Sequence, residues 1–425
     1  MRWHQRYAFA SYLRSSMWGV PVAAYAAFFI LIRILGHLDE WLDWSWSWRL
    51  EASLVQTIFQ SLAAAVLSFI VFTFSSLLVA IQVASAQLTP RIIATMLLRD
   101  TTIRLIVALF VLTLTFDLGV VVRATDRVPY LLVTVAFFLS ALSIAAFLYL
   151  IDYAARLLRP VSIVWRLGEA GIAVIRDVYP SKIQSPHVPT SPLPPHGTPA
   201  RVIRHEGTSA IVVAANLERL RAEAQRTGGV IEFAARVGDF VAVGEPLFLL
   251  YGSSESANDD ALREAIAMGR ERTLEQDATF AFRIIADIAI KALSPAINDP
   301  TTAVIAIDQL HRLLRVVGRQ HLHDDALRGP DGAVQVIFRT PDWDDFVTLS
   351  CREIRLYGAA NFQIARRLRA MLENLRHTLP EARRPALDTE LKLLDAALER
   401  ADMLAEDRDL SRVPDLQGLG ASLRR

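Results

Sequence analysis

From Ala52 to Pro90 the chain carries no charged residue. A helix over this run rises about 1.5 Å per residue and outreaches the ~30 Å hydrocarbon core of a bilayer. The run therefore predicts a tilted span that projects past one membrane face. It is not uniformly apolar. Ser61, Ser68, Ser75, Gln82 and Thr89 recur every seven residues, with Thr57, Ala64, Val71, Leu78 and Ser85 beside them. A seven-residue repeat keeps such positions near one line of a helix. Hydrocarbon does not reward hydroxyls and amides, so this side is expected against protein or water. Two readings stand: a tight helix–helix seam, or a solute path lined by Ser61, Ser68, Ser75 and Gln82.

Pro90 ends the run, because it lacks a backbone donor and disfavours helix at Thr89. A short interfacial helix is expected beyond it, with Arg91 and Arg99 at headgroup level. In the path reading, Pro90, Arg91 and Arg99 form the cytoplasmic mouth, and the two arginines favour anions over cations.

Three further apolar runs, Met17–Leu35, Ile103–Val122 and Val128–Ile151, complete four spans. The first follows Arg2, Arg6 and Arg14. It is long for a signal peptide and no small-x-small cleavage site follows, so it reads as a retained span. Trp41, Trp44, Trp46 and Trp48 follow it and suit a headgroup-level belt, or a Trp-lined site. Arginine clusters in the N-terminus, after the second span and after the fourth outweigh Arg33, Arg49, Arg123 and Arg127, which puts both termini in the cytoplasm. Asp117 lies inside the third span, where a carboxylate needs a partner or water. Arg33 and Arg123 are candidate partners; a pore or proton-relay role is the alternative.

Hydrophobic residues make up 53% of the 425, and they concentrate in the first 151 positions, which divides the chain into a membrane half and a soluble half. A net charge of +1 gives no reason to expect nucleic acid. The single cysteine, Cys351, excludes an internal disulfide and a multi-cysteine metal site.

The expected fold class is mainly α. A four-span domain over 1–151 leads into an exit helix and Pro-rich connector over 152–200. A small β-rich unit follows over 201–252, then a mainly helical cytoplasmic domain over 253–409 ending in a helical bundle, then a flexible tail over 410–425. Asn216 is placed to cap a short helix. Gly238-Asp239 and Gly244-Glu245-Pro246 punctuate short strands. This β unit resembles the half-barrel of biotinyl and lipoyl carrier domains. No lysine stands between Lys182 and Lys291, so the covalent cofactor role is excluded. The run Arg272–Asp308 predicts two helices joined at Ser294-Pro295, with Asp299 as N-cap and Pro300 at the first helical position. Asn298 and Asp299 could instead hold an ion. His321-Leu-His-Asp-Asp325 reads as a polar loop rather than a metal site.

Gln87-Leu-Thr-Pro-Arg91 with Leu98-Arg99-Asp100 is similar to a signature of a bacterial inner-membrane family of predicted membrane proteins, domain of unknown function 2254. Ala292-Leu-Ser294-Pro295-Ala-Ile-Asn298-Asp299-Pro300-Thr-Thr-Ala303 resembles its most specific block. Val237-Gly-Asp-Phe-Val and Arg355-Leu-Tyr-Gly358 match weaker ones. Relatives carry a histidine pair after the fourth span where Asp152-Tyr153 stands here, so no role for that pair carries over. The resemblance covers nearly the whole chain and implies architecture without an activity.

No nucleophile elbow, phosphate-cradling loop, HExxH or paired cysteine is present, so the chain does not read as an enzyme and no cofactor is expected. Two functions fit: a homo-oligomeric channel-like or transport protein with a cytoplasmic regulatory domain, or a membrane-anchored sensor or scaffold. A water path on an oligomer axis favours the first. A closed apolar seam with a pocket in residues 201–320 favours the second. The bilayer and a second copy of the chain are the expected partners; the ion or small-molecule ligand stays open. Reporter enzymes fused after Val128 and after Tyr179 should read outside and inside respectively; an outside signal from the second fusion refutes this topology.

Overall fold

Apolar runs of the expected number become four long helices: α1 (Gly19–Leu42), α2 (Ala52–Gln87), α3 (Thr101–Arg123) and α4 (Tyr130–Leu157). The computed structural model describes residues 3, 6–7, 16–42, 51–88, 100–125, 128–157, 159–183, 197–322 and 325–421. Pro90, Arg91 and Arg99, the indoles of Trp44, Trp46 and Trp48, the prolines from Pro186 to Pro195, and His323-Asp324 lie outside the described residues. All four helices are long and apolar enough to cross a membrane.

Within this four-helix unit α3 is central. Gly119 lets α1 approach closely: a Cβ there would meet Ile32 Cδ1 at 3.0 Å and Phe28 Cζ at 3.1 Å. Helix α4 packs on another side of α3. Helix α2 reaches the bundle through side chains, with Val55 and Phe59 joining one apolar cluster and Val66 and Leu77 another. Three polar contacts fix helix ends. Asp100 caps α3, accepting from the Ile103 amide at 3.1 Å. Asp39 at the end of α1 accepts from the Leu131 amide at 2.9 Å, in the first turn of α4. Gln56 Nε2 donates to the Ala124 carbonyl at 2.7 Å, at the far end of α3.

An exit helix is expected at the start of the 152–200 segment. Proline splits it: α4 continues to Leu157, and α5 (Pro160–Val178) opens on Pro160, whose missing donor is harmless only in a first turn.

The rest of the chain forms a mixed unit. Its strands are β1 (Arg201–Arg204), β2 (Ala210–Ala215), β3 (Val230–Phe233), β4 (Phe240–Val241), β5 (Pro246–Tyr251), β6 (Ile266–Gly269), β7 (Ala326–Arg328) and β8 (Val334–Ile337). They make a five-stranded sheet ordered β1-β5-β3-β8-β7 and a three-stranded sheet ordered β4-β2-β6. The β unit read over 201–252 is therefore not self-contained. Strand β6 extends the smaller sheet, and β8 lies parallel beside β3. Register puts Ile231 opposite Leu250 and Phe233 opposite Phe248, all buried on one face. Helix α6 (Leu217–Thr227) adds Leu220 and Ala224 to this core. Asn216 caps it, accepting from the Arg219 amide at 3.1 Å, and Gly228 ends it with φ +72°. A short helix, α7 (Asp259–Glu264), precedes β6.

The helical part is built on α8 (Ala278–Ala292), which buries most of its circumference and leaves the side of Arg283 and Asp287 half-buried. Helices α9 (Pro300–Val317) and α10 (Trp343–Gly358) pack on it. Helices α11 (Phe362–Thr378), α12 (Arg384–Arg400) and α13 (Ala405–Ser411) complete the layer. Helix α5 docks where Gly171 faces Ala281 of α8 and Leu313 of α9.

Residues 410–421 correct the expectation of a flexible tail. The buried guanidinium of Arg366 donates to the carbonyls of Val413 (2.9 Å), Gly420 and Ala421 (both 3.2 Å). Asp415 accepts from the amides of Gln417 (3.0 Å), Gly418 (2.9 Å) and Gly420 (2.6 Å). Burial works against the Asp415 charge, but these three amides and Arg366 outweigh it and hold its carboxyl below the usual range. A carboxyl lowered on folding stabilises fully above its unfolded pKa, about 3.9, and that contribution is lost as pH falls through the lower folded value. Hydrogen exchange in residues 412–421 should therefore stay slow through pH 4 and rise only below it. In Asp415→Asn it should be fast already at pH 7.

Candidate functional site

Helix α2 turns Val55, Phe59, Ala63, Val66, Thr73, Leu77 and Ala80 inward. Ser61, Ser68, Ser75 and Gln82 are exposed on its other side. The polar stripe is thus not the seam by which α2 joins its own bundle; the apolar side makes that seam, because it fits the apolar clusters of α3 and α4. Ser61 Oγ donates to the Thr57 carbonyl at 3.0 Å and Ser68 Oγ to the Ala64 carbonyl at 2.9 Å. These hydroxyl protons are used within the helix, and oxygen lone pairs are left for whatever lies outside.

Asp117 is fully buried between α3 and α4. Its partner is Ser140, whose Oγ lies 3.0 and 3.2 Å from the two carboxylate oxygens. One turn away on the same side of α3, Thr113 Oγ1 lies 2.8 Å from Ser143 Oγ. The expected partners Arg33 and Arg123 are both exposed, and among the described residues no ion pair reaches Asp117. Helix geometry explains the miss for Arg123: six residues along is about 240° round the axis. At the end of α3 where Asp100 caps it, Tyr153 donates its hydroxyl to Asp100 Oδ2 at 2.6 Å.

The family-like block Ser294, Pro295, Asn298, Asp299, Pro300 forms a self-bonded turn, exposed from Pro295 to Asn298 and half-buried at Ser294, Asp299 and Pro300. Ser294 Oγ donates to the Lys291 carbonyl at 2.7 Å, and the Asp299 amide to the Ala292 carbonyl at 2.8 Å. Asn298 sits at φ +48°. Asp299 caps α9, accepting from the Thr302 amide at 3.1 Å, with Pro300 as first helical residue. Gly358 packs closely on Leu293 and Ile364, so the Arg355–Gly358 motif abuts this turn. Among the described residues no group of three or more His, Cys, Asp or Glu is placed to hold a metal. Cys351 is buried in α10, and burial raises its thiol pKa, which keeps it protonated and unreactive.

A site the sequence reading did not assemble lies in the mixed unit. A cavity of about 460 Å³ opens between the start of α8, the two sheets and the end of α5. Four aromatic rings, Trp3, Tyr179, Phe233 and Phe338, contribute to its wall. Asp177, Glu218, Asp277, Arg236 and Arg339 supply the charges. Asp277 is the N-cap of α8: its Oδ1 accepts from the Phe280 amide at 3.1 Å. Its Oδ2 is buried and, among the described residues, accepts no hydrogen bond; it is ion-paired with Arg272, whose Nη1 lies 3.7 Å away. Burial pushes the Asp277 carboxyl above its ordinary value, against the Thr279 hydroxyl and the Arg272 guanidinium. Burial, then the carboxylates of Asp277, Asp325 and Asp345, likewise raises the Tyr179 phenol. Gly238, at φ +95°, brings the Val237–Val241 motif against this carboxylate: a Cβ there would sit 2.6 Å from Asp277 Oδ2. The legible signal for Asp277 is its place before Ala-Thr-Phe280 at a helix start. That signal reports a cap, and nothing local announces the cavity around it.

Four membrane-capable helices followed by a mixed helix–strand unit define a multi-span membrane protein. The chain belongs to the family described as "Predicted membrane protein (DUF2254)", which matches residues 14–374. Proteins from Mycobacterium bovis and Mycobacterium tuberculosis, each described as uncharacterized, are 27% identical over 376 residues, covering 85% of this chain and 70% of theirs. No solved structure matches.

Gly238 and Gly244 both have positive φ, but only Gly238 has an atom in the way; around Gly244 there is open space. Gly244→Ala should cost roughly 1–3 kcal/mol from backbone strain alone. Gly238→Ala should lower the melting temperature further. Equal melting temperatures for the two variants would show that the approach to Asp277 is not tight.

Proposed function

We propose that this is a homo-oligomeric, channel-like or transport protein of the bacterial inner membrane. Both termini are cytoplasmic in this reading, and the mixed unit regulates the membrane part. One observation carries it: the polar stripe of α2 stands on the side its own bundle leaves uncovered. Lipid gives hydroxyls and amides little, whereas a second copy, or water held between copies, satisfies them. A closed ring of subunits would turn Ser61, Ser68, Ser75 and Gln82 into stacked rings of oxygen and amide groups. Such rings replace part of an ion's hydration shell without fixed charge.

The cavity beside Asp277 favours a second reading, a membrane-anchored sensor or scaffold. Its size and mixture of apolar wall and few polar groups suit a small ligand. The two readings combine if the ligand controls the membrane part.

Single cysteines at Ser61, Ser68, Ser75 and Gln82, in a Cys351→Ala background, test the path. Water-borne thiol reagents should modify them and spare a cysteine at Leu67, which is exposed on the apolar side of the same helix. If the stripe is as unreactive as Leu67, no water runs along α2 and the channel reading fails.

A further inference from the structure

The three-stranded sheet β4-β2-β6 has two faces, and the chain fills them differently. On one face Val212, Ala215, Val241 and Ile266 are buried in the main core of the mixed unit. On the other, Val213, Ala214 and Ala267 form a small apolar cluster of their own. Side chains normally alternate along a strand. An irregularity in register between Val212 and Ala214 is what puts Val213 and Ala214 in the same cluster.

Two rings from the start of the chain, Trp3 and Tyr7, pack against this second cluster. Both residues have helical backbone. Four residues apart on a helix is one side, so the two rings reach the sheet together. They stack on each other with centroids 5.5 Å apart. The side chains they cover are small, two alanines and a valine, which leaves room for flat rings. Both rings are half-buried rather than enclosed, and Arg6 beside Tyr7 is exposed.

The core face of the sheet is closed without this contact. Losing it uncovers three small side chains. Apolar stabilisation scales with the area covered, so a contact of this size holds weakly. Weak contacts open locally while the rest of a fold stays intact.

Trp3 also belongs to the wall of the 460 Å³ cavity, together with Asp177, Val178 and Tyr179 at the end of α5. The chain runs on from Tyr7 into α1, and it reaches Tyr179 from α4 through α5. The cavity wall therefore holds a residue from each of the two chain connections that lead to the spans.

We propose that the segment bearing Trp3 and Tyr7 is a detachable strap. The outer face of β2 and β6 is a docking site for a helix with two rings four residues apart. Release of that helix frees the connection to α1 and removes one part of the cavity wall. The assignment holds whether or not α2 assembles with other copies.

Thiol labelling of full-length protein in detergent tests it, in a Cys351→Ala background. Val213→Cys reports the strapped face, and Val212→Cys reports the core face of the same strand. If the strap opens by itself, a water-borne maleimide should modify Val213→Cys on the order of tenfold faster than Val212→Cys, which reacts only when the sheet unfolds. Replacing both rings, Trp3→Ala with Tyr7→Ala, should leave the protein folded, speed Val213→Cys by a further factor of roughly ten and leave Val212→Cys unchanged. A synthetic peptide of residues 1–11, added to the double-alanine variant, should restore the slower rate. The same peptide with alanine at both ring positions should not. The proposal is overturned if Val213→Cys labels no faster than Val212→Cys in the intact chain, because the segment is then a fixed part of the fold. It is overturned equally if removing the rings does not speed Val213→Cys, if the double-alanine variant does not fold, or if the native peptide gives no protection.

Discussion

Hydrocarbon offers no hydrogen bonds, and the membrane unit is arranged around that constraint. Most polar side chains in the spans are answered from within the protein. Thr57, Ser61, Ser68, Thr73, Thr115 and Thr134 donate to carbonyls one turn back in their own helices. Asp117 and Thr113 are met by Ser140 and Ser143 across the α3–α4 contact. Gln56 crosses to the carbonyls that end α3. Ser75 and Gln82 are the departure. They are exposed, and among the described residues they form no hydrogen bond. An amide facing lipid is unfavourable, so the uncovered side of α2 is where the isolated chain is least self-sufficient.

The mixed unit answers a different demand. Helix α8 is apolar over all but the stripe of Arg283, Asp287 and Lys291 and must be largely surrounded, and α5, α9 and α10 do so. Surrounding one helix with elements from distant parts of the chain leaves its N-terminus at a meeting point. There the amide ends of α8 need an acceptor, which Asp277 provides with one oxygen. The second oxygen, the glycine turn at Gly238 and the aromatic wall are consequences of that crowding.

Much of this was legible in the sequence because it is local. A span needs only a long apolar run with few charges, and all four are visible. The caps by Asn216 and Asp299 need only a few neighbouring residues, and Pro300 after Asp299 marks the restart unambiguously. What failed was what depends on partners far along the chain. The period of α2 located a polar stripe but not which side turns inward, since a helix wheel carries no information about neighbours. Asp117 finds Ser140 on another span, not the arginine nearest in sequence. Proline at 160 was a local signal, and reading one helix through it was avoidable. Strand β8 reaches β3 from roughly a hundred residues away, and the cavity draws its rings from four separate segments, so neither leaves a contiguous trace. Residues 410–421 look loose because they stand near the end of the chain without a periodic pattern; their anchor, Arg366, is on α11.

The notch at Gly119 has a mechanical consequence. With α1 seated in it, and Asp39 latched to the amide end of α4, the helices α1, α3 and α4 are tied at more than one level. A lengthwise slide of α1 would drive Phe28 and Ile32 out of the notch and uncap α4 together. Among the described residues helix α2 has no such interlock and leans on the block through side chains and the strut of Gln56. Shifting it by a rotamer's width disturbs no backbone fit. In engineering terms the bundle is a three-post frame with one adjustable rail, and the rail is the helix that bears the polar stripe.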